Sequence, residues 1–95
     1  MAQIELSSDR LRVLRAVHAH GSSVCAGTCE HHLPDEFRCH NLGYEAKVSS
    51  NGAKRRLFEL TELGLLTKAV VAREDGKVVA RYTVSLEGLK LLLGR

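Results

Sequence analysis

The sequence predicts a small α+β domain in which helices come first, a two-stranded hairpin follows, and a short helix closes the chain. Three observations carry this expectation. Aliphatic residues recur at helical spacing in two segments, each opened by a pair of Ser residues. Asp75-Gly76, among the best two-residue hairpin signals, divides a stretch rich in Val and Thr. A Leu-rich segment then begins directly after Ser85. The 95 residues suit one domain, 1–95, with one modest core. A hydrophobic fraction of 44% beside 26% charged residues is that of a folded chain, so disorder is not expected.

The first helix is expected from about Ser8 to His20. Ser7, Ser8 and Asp9 offer capping oxygens, Leu11, Leu14 and Val17 recur with Val13 beside them, and Gly21 is a good stop. Arg10, Arg12 and Arg15 then fall on its solvent side. Ser22 or Ser23 is the expected cap of a second, short helix reaching about Leu33, with Pro34 as the break. Val24 to Leu42 is poor in large aliphatics and holds every Cys of the chain.

Ser49 and Ser50 open the strongest pattern. Ala53, Leu57, Leu60 and Leu63 share one helical face, Lys54, Arg55 and Arg56 lie largely off it, and Gly64 ends the run. Phe58 fits either the core or a groove-facing position, and the core is the expected place. The hairpin arms run over Lys68 to Glu74 and Lys77 to Val84. A turn centred on Asp75-Gly76 sets Glu74 against Lys77, Ala72 against Val79 and Val70 against Arg81. One face then carries Ala69, Val71, Val78, Ala80, Tyr82 and Val84, and the other Lys68, Glu74, Lys77 and Arg81. Ser85 caps the last helix, which holds Leu86, Leu89, Leu91, Leu92 and Leu93.

Two segments carry a family resemblance. The run from Ser49 to Leu66, with Leu57, Leu60, Gly64, Leu65 and Leu66 in an L-x-x-L-x-x-x-G-L-L spacing, resembles the recognition helix and exit of winged-helix transcription regulators. Arg81 to Gly88 is similar to the Y-x-L-T-x-x-G segment that closes the wing in several such families, with Val84 and Ser85 where Leu and Thr are usual. The resemblance covers most of the chain from Ser7 onward. It implies a winged helix-turn-helix fold with a three-helix core, a two-stranded β-hairpin wing and a C-terminal helix. The stretch from Gly21 to Lys47 is longer than a minimal helix-turn-helix needs, and a Cys/His-rich insert is expected at about 22–47.

The resemblance also implies double-stranded DNA as partner, with the helix at about 49–63 in the major groove and the wing at about 68–84 on the backbone or minor groove. Ser49, Ser50, Asn51, Lys54 and Arg55 lie at the start of that helix, where base edges are read and where the dipole and open N–H groups favour phosphate. Arg forks onto guanine and Asn onto adenine. Arg73 near the wing tip, with Lys77 and Arg81, extends the expected surface. The plainer reading is that Lys54, Arg55 and Arg56 are an ordinary solvated helix face.

Cys25, Cys29, His32, Cys39 and His40 are candidate ligands for a structural zinc, because thiolate and imidazole are its preferred donors. Cys25, Cys29 and His32 would share a face of a helix. The competing reading is that Cys is a small buried core residue and the His residues are surface groups.

Lys plus Arg number 14 against 11 for Asp plus Glu, a net charge of +3 that favours nucleic acid only if the basic residues cluster. Three Cys, an odd number, argue against a disulfide framework and for a reducing, cytoplasmic setting. The N-terminal residues are not those of a secretory signal and no run is long enough to span a membrane. No phosphate loop, nucleophile elbow or H-E-x-x-H is present, so an enzyme is not expected. The expectation is a small sequence-specific transcription regulator. The alternative is a winged-helix protein-interaction or replication-complex module with weak or no DNA binding. Leu86, Leu89, Leu92 and Leu93 offer a homodimer surface on the last helix.

Overall fold

A computed structural model describes residues 6–25 and 36–94. The elements run α1 (Ser8–His20), β1 (Ser23–Cys25), α2 (Cys39–Ala46), α3 (Ser50–Glu62), β2 (Leu66–Ala72), β3 (Val78–Val84) and α4 (Leu86–Leu93). The architecture is α+β, with four helices and a three-stranded antiparallel sheet in the order β1-β3-β2. Among the described residues no helix is long and apolar enough to cross a membrane.

Local chemistry sets the ends of α1. The Ser7 hydroxyl accepts from the Arg10 N–H at 3.3 Å, and the Gly21 N–H closes the last turn on His18. Val13, Leu14, Ala16 and Val17 form its buried stripe. The second helix differs from expectation. Ser23 and Val24 belong to a strand, which lies on β3 with Ser23 opposite Tyr82 and Val24 opposite Arg81. A cap needs a following helix, whereas Val24 is β-branched and β3 offers it an unpaired edge. Leu33 and Pro34, the expected end of that helix, lie outside the described residues.

The second helix is instead α2. Its buried positions are Cys39, Leu42, Gly43 and Ala46, a helical stripe with one large aliphatic. The Val48 carbonyl oxygen would lie 2.7 Å from a Cβ on Gly43, so the α2–α3 turn closes against a residue without a side chain. Val13, Leu14 and Val17 meet Leu42, Ala53, Leu57, Leu60, Leu65, Leu66 and Tyr82 in one core.

The hairpin differs from expectation by one residue of register. Leu66 faces Val84, Lys68 faces Tyr82, Val70 faces Ala80 and Ala72 faces Val78. The Gly76 N–H donates to the Arg73 carbonyl at 3.0 Å, and the Arg73 N–H donates to Lys77 at 2.8 Å. The loop is therefore three residues, a turn closed by Gly76 at φ +83°, not two. Asp75 accepts from the Lys77 N–H at 2.9 Å and holds that shape. This slip moves Lys68, Val70 and Ala72 to the core side of the sheet and puts Val71 with Val79 on the other. Val24 and Val79 are buried there, so the outer face is not wholly solvated. Ser85 caps α4 by accepting from the Gly88 N–H at 3.1 Å. Gly88 lets the helix sit against the Leu65 carbonyl, 2.3 Å from where a Cβ would lie.

Candidate nucleic-acid interface

Helix α3 begins where Ser49 caps it, its hydroxyl accepting from the Gly52 N–H at 2.9 Å. Ala53, Leu57 and Leu60 face the core. At about 100° per residue, the opposite side carries Asn51, Arg55, Phe58 and Glu62, all exposed. Ser50 and Lys54 flank this stripe and are half-buried. Phe58 is thus a correction to the sequence reading, being 61% exposed and outside the core. The helical period itself sets Phe58 off the Ala53, Leu57 and Leu60 stripe, a signal that its apolar character overrides in a reading by composition.

The arginines divide into two groups. Arg56 reaches Glu59 at 2.7 Å and Asp9 at 3.9 Å, and Arg10 reaches the same Glu59 carboxylate at 3.2 Å. Arg12 pairs with Asp9 and donates to the Ala46 carbonyl at 2.7 Å. This network ties α1 to α3 and α2. Arg10 and Arg12 are therefore half-buried, not on the solvent side as the sequence suggested, whereas Arg15 is exposed. The Arg10 hydrogen bond, opposed by partial desolvation and aided by Arg56, holds the Glu59 carboxyl below its ordinary value. Arg55 takes no part in these contacts and forms no ion pair among the described residues.

The hairpin residues expected in the surface are not gathered at α3. The Arg73 side chain is 8% exposed and pairs with Glu36 at 2.7 Å and Asp75 at 2.9 Å. Arg81 is exposed, but it shares the sheet face of Val24, opposite the face of Tyr82. Lys77 is exposed at the tip. Lys68 is exposed on the helical side of β2, the strand that follows α3. A one-residue shift of register would set Lys68 on one face with Arg81, as expected from a two-residue turn, and the observed register separates them. A cavity of about 880 Å³ lies on the outer face, where Val24, Phe37, Val71 and Val79 meet the Arg73–Glu36 pair.

Cys25 and Cys39, two of the expected zinc ligands, directly follow Val24 and Arg38, which pair in an isolated parallel bridge. Cys39 is fully buried in the core, Cys25 is half-buried on β1, and His40 is exposed. Among the described residues Cys25 forms no disulfide. Cys29 and His32 lie outside the described residues. Among the described residues no group of three or more His, Cys, Asp or Glu side chains is placed to hold a metal. The Tyr82 hydroxyl is pushed above its ordinary value by burial and then by Cys25.

Compared with protein-family models and with curated proteins, the chain matches none.

Proposed function

We propose that this chain is a winged-helix protein that binds double-stranded DNA with sequence preference, as a small cytoplasmic transcription regulator and not an enzyme. One observation carries the reading. The face of α3 that points away from the core holds Asn51 and Arg55 exposed, whereas the adjacent Arg56 is drawn into contacts with Asp9 and Glu59. A helix whose N-terminal half offers a forked donor and an amide suits the base edges of the major groove. The element order and the three-stranded sheet are compatible with a winged helix. Ser49, Ser50 and Lys54 flank the stripe, and Lys68 adds a positive charge from β2 on the helical side. The Arg73 guanidinium serves the hairpin instead, through Glu36 and Asp75.

A second observation bears on assembly. On α4, Gly88, Leu91 and Leu92 turn toward the core side, leaving Leu86 67% and Leu93 77% exposed. A homodimer through this helix would cover them and present two copies of α3 to two half-sites. The same patch suits the alternative of a docking module for another protein.

The test is anisotropy of a fluorescent random duplex titrated with the full chain across a salt series. Affinity that falls steeply with salt supports phosphate contact through counterion release. Selection from a random library then gives the preferred site. Absence of binding at low salt would overturn the DNA reading and favour a docking module.

A further inference from the structure

Resting on the reading that α3 enters the major groove, we infer that Phe58 reads the 5-methyl group of a thymine. The preferred duplex then carries thymine beside the base pairs met by Asn51 and Arg55. Phe58 is 61% exposed on the stripe that those two residues share. Leaving an aromatic ring in water forfeits the burial that Leu57 and Leu60 enjoy on the core face, so a partner that covers it gains affinity.

The chemistry of the groove narrows that partner to one group. Base edges in the major groove offer hydrogen-bond donors and acceptors, and a single apolar feature, the thymine methyl. With a rise of about 1.5 Å per residue, Phe58 lies roughly 10 Å along the axis from Asn51 and about 4.5 Å from Arg55. Bases stack about 3.4 Å apart along a strand, so the three side chains span roughly three base-pair steps. The thymine is expected one or two steps beyond the pair that Arg55 meets. An apolar protein partner fits this face less well. It would cover the exposed Arg55 and Asn51 with Phe58 and leave their donors unpaired unless it supplied acceptors of its own.

The test begins with the full chain selecting from a random duplex library. The enriched duplex is then made with either thymidine or deoxyuridine at each thymine. Deoxyuridine keeps pairing, charge and every hydrogen-bonding group and removes only the methyl. Wild type should bind the deoxyuridine duplex about fourfold more weakly for one buried methyl. Phe58→Ala should bind both duplexes equally, at the weaker affinity, with unchanged melting by circular dichroism. Equal binding of the two duplexes by wild type, a ratio that survives in Phe58→Ala, or an enriched site without thymine at that spacing would overturn the inference alone. No enriched sequence, or no binding at low salt, would overturn the DNA reading and this inference with it.

Discussion

Arg55 and Arg56 are neighbours in the chain, and replacing each by Ala should damage a different property. Arg55 is exposed and makes no ion pair among the described residues, so Arg55→Ala should leave melting within about 0.5 kcal/mol of wild type. On the DNA reading it removes a base or phosphate contact. A lost fork to guanine would cost about 1–3 kcal/mol, roughly five- to 150-fold in affinity. A lost phosphate contact would lower the salt slope by about 0.9, and would cost similarly for every sequence. Arg56→Ala removes the contacts at 2.7 Å to Glu59 and 3.9 Å to Asp9, leaving Glu59 with Arg10. Its effect should appear as a lower melting temperature, with little change in affinity for DNA when the protein is folded. The assays are thermal melting by circular dichroism and anisotropy on the selected duplex. Equal losses of affinity for both variants, with both melts unchanged, would refute the division of the two arginines.

Acid should weaken the fold in a defined window. Glu59 lies below its ordinary value of 4.5, chiefly through Arg10, and Asp75 below 3.8, chiefly through the Lys77 N–H. Both are depressed, so the stability they contribute is complete above those unfolded values and is lost as pH falls through the folded ones. The contribution of these two contacts should be constant from neutrality to about pH 5 and fall below it, so the pair Glu59→Gln with Asp75→Asn should flatten the acid limb of the melting profile; an unaltered acid limb would count against both contacts. Gly88→Ala would put a methyl 2.3 Å from the Leu65 carbonyl, which already accepts from the Ser85 N–H at 3.0 Å. Overpacking costs about 1–3 kcal/mol and the helical preference of Ala returns at most about 1, so the net is a lower melting temperature. A variant that melts higher would show that α4 does not sit on Leu65 in solution. Cys39→Ser buries a hydroxyl in the core, and a loss of about 1–3 kcal/mol in denaturant melts is expected without change in metal content. Stoichiometric zinc in untagged wild type that disappears in this variant would instead make Cys39 a ligand.

The sequence by itself determined the helices that local chemistry can start and stop. Helices α1 and α3 carry a Ser cap, an apolar stripe and a glycine beyond the end, and their observed bounds agree with the expected ones to within a residue. The hairpin and α4 were legible for the same reason, as was the start of the candidate surface at Ser49 to Arg55. Tertiary structure decided the rest. Strand β1 is three residues long and exists because β3 pairs with it, which no local signal records. Helix α2 packs through Cys39, Gly43 and Ala46, residues too small to mark a hydrophobic period. The hairpin register turned on one residue of loop length, and Asp75-Gly76 serves a three-residue turn as well as a two-residue one. That residue put Lys68 on the helical side and left Arg81 on the other. Periodicity places a charged side chain at the surface but cannot say what stands opposite it. Arg73 met Glu36 from across the fold, Arg56 met Asp9 on α1, and Arg55 met neither. Caps and stripes act within a few residues, whereas pairing and register depend on groups that folding alone brings together.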